Sequence, residues 1–110
     1  WHDKPEEVIM PEGESIKDVS ERSVEAFDKI CLSQKDNDLS LLVAHDAVNK
    51  TLICNILGIN YSNIWMIKQG NGGITIIDLF NDSNKPPVIS ALNITTHLGG
   101  IIDSTASGAL

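Results

Sequence analysis

The sequence has 110 residues, 42% of them hydrophobic and 21% charged. That is enough for one compact domain with a core, or for part of one. A net charge of −7, with fifteen acidic against eight basic side chains, argues against a nucleic-acid partner, because binding to a phosphate backbone draws on clustered Lys and Arg. No apolar run approaches the roughly 18 residues needed to span a bilayer, so the expectation is a soluble protein with no membrane partner, and the start at Trp1-His2-Asp3-Lys4 reads as a cut end.

Residues 1–14 hold Pro5, Pro11 and Gly13 among acidic side chains without a sustained period, and are predicted as an approach loop. Ser15 then opens a helix. Its hydroxyl can accept from the Asp18 amide while the Asp18 carboxylate reaches back, a capping-box variant. Ile16, Val19, Val24, Phe27, Ile30 and Cys31 carry an apolar stripe down to about Ser33. After a polar turn over 34–38, Leu39-Ser40-Leu41-Leu42-Val43-Ala44 reads as a short strand buried on both faces. His45-Asp46 follows directly, and Ala47 to Leu57 forms a second helix with Val48, Leu52, Ile53, Ile56 and Leu57 on a broad apolar face, closed by Gly58 at C′.

Beyond Asn60, Ser62 or Asn63 is expected to cap a short helical turn, with Ile64 to Gln69 leading into Gly70-Asn71-Gly72-Gly73. That glycine run precedes a strand and lacks the lysine of a phosphate-binding loop, so it reads as a turn. Ile74 to Phe80 and Val88 to Leu92 are β-branched and pair as a predicted hairpin across a turn over 81–87. Residues 99–110 form a small, polar C-terminal tail. Cys31 and Cys54 sit on apolar stripes without metal-ligand spacing, which suits buried, reduced thiols in a cytosol-like compartment. No metal site is expected, since His2 and His97 have no Cys, His or acidic partner at ligand spacing.

In open α/β sheets, ligands bind outside the carboxyl ends of strands, where a helix N-terminus offers free amides to an anion. His45 occupies such a junction. It can donate to a phosphoryl oxygen and, as a cation, offset developing charge; spacing alone favours a helix cap or a bond to a neighbouring loop. Glu14 can face the same pocket as acid, base or hydroxyl acceptor, or merely favour a helix N-terminus, and Asp46 carries the same pair of readings. Arg22 is the sole arginine, so no cluster of guanidinium groups is available to grip a phosphate bidentately.

Five stretches taken in order resemble the histidine phosphatase (phosphoglycerate mutase-like) superfamily: Pro11-Glu12-Gly13-Glu14-Ser15 with Val19 and Arg22; Leu41-Leu42-Val43-Ala44-His45; Thr51-Leu52-Ile53-Cys54 with Leu57-Gly58; Gln69 to Gly73 with Ile74 to Leu79; and Leu92 to Leu98. The stretches around His45 and Thr96-His97-Leu98-Gly99-Gly100 resemble a cyanobacterial, plastid-like branch. The resemblance implies a three-layer α/β/α fold, of which this chain is the C-terminal portion, with two main helices and about four strands in a mixed sheet. It implies phosphohistidine chemistry on small phosphomonoesters such as a sugar phosphate or phosphoserine, without a cofactor, in the cytoplasm or plastid stroma. His45 maps onto the second active-site histidine, with Asp46, Glu14 and Ser15 as candidate substrate contacts. The nucleophilic histidine belongs to an Arg-His-Gly motif that does not occur here. The segment alone is therefore expected to be inactive, with an apolar edge left for the missing N-terminal part of the domain or for a second copy. Phosphoglycerate mutase and a non-catalytic interaction module are the alternatives.

Overall fold

The computed structural model describes residues 2–8, 13–82 and 84–99, in two compact units divided after Ile67. In the first unit a short 3-10 helix, Pro5–Glu7, lies inside the predicted approach loop. Helix α1, Ile16–Ser33, begins where the cap signal placed it. Ser15 Oγ accepts from the Asp18 amide at 3.2 Å, and the Ser15 amide donates to Asp18 Oδ2 at 3.0 Å. The first turn thus gains partners for donors that a helix start leaves free. Ile16, Ser23 and Phe27 mark the buried stripe of α1, whereas Leu32, one position off it, is exposed.

The Ser15 amide and then the Ser15 hydroxyl hold the Asp18 carboxyl below the usual carboxylate range. A folded-state value depressed below the unfolded one contributes stability that is fully present above the unfolded value and is lost as pH falls through the folded one. We therefore expect Ser15→Ala to lower the thermal midpoint by about 4–8 °C at neutral pH. The gap should narrow as the pH falls from the usual carboxylate range through the depressed folded value, below which the carboxylate is protonated in both proteins. Calorimetry across that range checks both the size and the sign.

Helix α2, Asp46–Leu57, has His45 as its N-cap and ends in a Schellman motif: the Ile59 amide donates to Cys54 O and the Gly58 amide to Asn55 O. Gly58 has φ +71°, a backbone conformation that costs a side-chain-bearing residue about 1–2 kcal/mol. Residues Lys50, Thr51, Ile53 and Cys54 are the buried ones, so the helix buries a lysine where the sequence predicts an apolar face, and Leu57 is 54% exposed. Asn60, rather than Ser62 or Asn63, caps the next 3-10 helix, Tyr61–Met66, by accepting from the Ser62 amide at 2.8 Å. This Asx turn starts the helix two or three residues earlier than predicted. Ile16, Phe27, Ile53, Cys54, Ile64 and Ile67 form the core of the unit.

Residues 39–44, predicted as a doubly buried strand, form no strand. Leu39, Leu41 and Val43 are 98%, 86% and 88% exposed. Their composition suits the interior of a parallel sheet, but such a strand exists only beside partners distant in sequence, and none pairs with it among the described residues.

The second unit is a hairpin. Strand β1, Ile74–Asp78, pairs antiparallel with β2, Val88–Ile94, with irregularities on both sides of Ile76. Where the resemblance implies about four strands in a mixed sheet, the described residues hold these two. The Gly70–Gly73 turn is confirmed as a turn and is held from several directions. The Gly73 amide donates to Gly70 O at 2.9 Å and the Gly70 amide to Asn93 Oδ1 at 2.8 Å. Buried Gln69 donates to Gly73 O and accepts from Thr75 Oγ1. A Cβ on Gly73 would collide with Asn93 Oδ1, so a side chain there would have to push that oxygen off its bond from the Gly70 amide. His97 Nε2 lies 2.8 Å from Gly72 O, which places this histidine in turn-holding work. Residues 100–110, most of the predicted tail, lie outside the described residues.

Candidate functional site

The α2 N-terminus is the one place where a sequence-predicted catalytic side chain stands free. His45 has extended backbone dihedrals (φ −78°, ψ 164°), as an N-cap requires, and its carbonyl accepts from the Asn49 amide at 3.1 Å. Its ring makes no capping hydrogen bond, and the residue is exposed. Asn49 Nδ2 donates to Ala44 O at 3.2 Å, fixing the backbone on the approach to the histidine. The helix-cap reading of the imidazole therefore has no bond to rest on. An imidazole without a capping bond at a helix N-terminus, where backbone amides point outward, can instead receive a phosphoryl oxygen.

Asp46, the first residue of α2, is not free. Its Oδ2 accepts from Lys50 Nζ at 3.1 Å, with side chains only 13% and 8% exposed. Its Oδ1 is buried and makes no hydrogen bond among the described residues. Lys50 Nζ also lies 4.7 Å from the centre of the Trp65 ring, and Trp65 in turn meets the His2 ring at 4.8 Å. A cation over an indole face is attracted by the ring quadrupole. Deleting one member of a buried ion pair strands the other, at about 3–5 kcal/mol.

Glu14 and Ser15 are engaged elsewhere. Arg22 Nε donates to Glu14 Oε2 at 2.9 Å, a pair exposed enough to contribute about 0–1 kcal/mol. Ser15 Oγ serves the α1 cap and also donates to Asp18 Oδ2 at 2.8 Å. No hydrogen bond or ion pair among the described residues links either of them to His45 or Asp46. Lys50 is the residue that sequence reading passed over. Its signal was the acid-then-base spacing Asp46–Lys50, four apart on one helix, while its burial depends on Trp65, fifteen residues further on.

Neither cysteine is a candidate nucleophile. Burial pushes the Cys54 thiol up, and burial followed by the Asp28 carboxylate pushes Cys31 up, which disfavours the reactive thiolate. Both are free, Cys54 buried and Cys31 only half-buried.

Residues 1–94 match the model for the histidine phosphatase superfamily (branch 1). Phosphoserine phosphatase 1 of Hydrogenobacter thermophilus is 30% identical over 99 residues, which is 90% of this chain and 45% of that protein. Among solved structures, a histidine-to-alanine mutant of a phosphoserine phosphatase from Entamoeba histolytica, in complex with phosphoserine, superposes with a TM-score of 0.65 at 29% identity, over 78% of this chain and 42% of the other. The chain thus spans about half the length of the relatives it matches. The likeness in structure gives it the phosphoglycerate mutase-like α/β fold. On the match over most of its length, this chain belongs to the histidine phosphatase superfamily.

Proposed function

We propose that this chain is the part of a metal-independent phosphatase of small phosphomonoesters that carries the second active-site histidine. The observation behind this reading is the exposed, uncapped His45 at the α2 N-terminus in a chain of this superfamily. A histidine from an Arg-His-Gly motif, which is absent from these 110 residues, attacks phosphorus; the P–O bond to the leaving group breaks and that oxygen takes up a proton. Water then attacks the phosphohistidine, breaking the P–N bond and releasing phosphate. His45 donates to the phosphoryl oxygens and offsets charge as transfer proceeds. Phosphoserine is the first substrate to try, since the relatives with printed activities carry it in their names. Free thiols fit a reducing, cytoplasmic or stromal setting.

On the same reading, the exposed Leu39, Leu41 and Val43 pair with apolar strands from the remaining part of the domain, which supplies the nucleophile. The 110-residue chain alone turns nothing over. The test is to incubate the longest natural form with a panel of phosphomonoesters in EDTA. Release of phosphate at full rate is expected. Activity that vanishes on chelation, or a coding region in which no Arg-His-Gly precedes Trp1, overturns the reading in favour of a metal enzyme or a non-catalytic module respectively. A mutase is separated by transfer of the phosphoryl group to an acceptor instead of water.

A further inference from the structure

Lys50 is the one charged residue that is buried among the described residues, and it sits one helical turn from the proposed phosphoryl site. Its neighbours on the buried face of α2 include Ile53 and Cys54, against which a hydrocarbon side chain would pack without the cost of desolvating an ammonium. The ammonium instead holds Asp46 Oδ2 at 3.1 Å and is covered by the Trp65 ring at 4.7 Å. The second Asp46 oxygen is buried and makes no hydrogen bond among the described residues. A carboxylate on the first residue of a helix would otherwise compete for the first-turn amides and repel a dianionic ligand.

We propose that Lys50 is a positioning residue: by pulling the Asp46 carboxylate along the flank of α2 and offsetting its charge, it keeps the helix start and the His45 ring open to a phosphoryl group. The proposal rests on the phosphatase reading above. It also accounts for an acidic residue directly after the histidine, a place where its charge would oppose an anionic substrate.

The experiment compares the longest natural form with Lys50→Met, Asp46→Asn and the double variant. It uses phosphoserine as substrate and inorganic phosphate as competing ligand, all in EDTA. Lys50→Met should raise both KM for phosphoserine and the inhibition constant of phosphate by about tenfold or more, with kcat within about threefold. In the double variant no carboxylate remains to be restrained, and both constants should return to within about threefold of wild type. Asp46→Asn alone should bind phosphate as tightly as wild type or more tightly. A Lys50→Met enzyme that binds phosphate normally overturns the proposal, as does a double variant no better than the single, which would make Lys50 a packing residue. Should Lys50→Met fail to fold, Asp46→Asn decides, and weakened phosphate binding there overturns the proposal. A wild-type protein that neither hydrolyses phosphoserine nor binds phosphate sinks the phosphatase reading itself; wild-type activity with a silent Lys50→Met sinks only the role of Lys50.

Discussion

Replacing His45 with alanine in the longest natural form is expected to lower kcat for phosphomonoester hydrolysis by about 10²–10³-fold, the range seen when one donor to a developing anion is removed. Stability should barely move. The imidazole is exposed and makes no capping bond, so the change resembles a neutral surface substitution, within about 0.5 kcal/mol. The two readouts separate the functional histidine from a structural one. Loss of a true N-cap would cost about 0.5–2 kcal/mol of stability and leave turnover in the fraction that stays folded. Full activity in the alanine variant rules out the assigned role, and a destabilised variant with normal kcat returns His45 to the cap reading.

Ile64→Ala should have the largest effect on folding. Ile64 is fully buried within the Tyr61–Met66 helix, which packs against α2. Removing three carbons there loses transfer energy and leaves a cavity, together about 2–5 kcal/mol. Against the 5–15 kcal/mol typical of a whole domain, that is a large share. Urea unfolding of the purified chain, with Leu32→Ala beside it, measures the difference. Leu32 is 87% exposed, so its truncation should fall within about 0.5 kcal/mol of wild type. Equal midpoints for the two variants would mean that the core is not where the burial pattern places it.

What the sequence made legible was local. Ser15 with Asp18, and Gly58 after Leu57, announce helix ends because their partners lie within five residues. The hairpin was readable from two β-branched runs and the turn between them, and the position of His45 at the start of α2 from the helical pattern that follows it. The misread features depend on remote neighbours. Leu39 to Ala44 has the composition of a buried parallel strand, yet composition cannot supply the adjoining strands, and the segment stays unpaired and exposed. Lys50 lies outside the apolar periodicity read for α2. Its burial follows from Trp65 and Asp46 closing over it, a tertiary arrangement that no helical pattern encodes. Glu14 and Ser15, the candidate substrate contacts, are polar and lie at the start of α1. The same property ties them to Arg22 and to the α1 cap.

The exposed run at 39–43 and the free imidazole at 45 adjoin in the chain. On the proposed function, the strand that completes the sheet also delivers the catalytic histidine to its end. Covering those leucines and assembling the active site would then be one event, so substrate binding and the stability of the complete domain should rise together.

The central claim is phosphoryl transfer through a histidine with His45 assisting. It is tested most directly by rapid quench of the longest natural form with radiolabelled phosphoserine in EDTA. The account predicts an acid-labile, alkali-stable phosphoenzyme that forms before phosphate appears and forms far more slowly in His45→Ala. Steady release of phosphate with no phosphoenzyme at any time, or the same rate of its formation in His45→Ala, would contradict it.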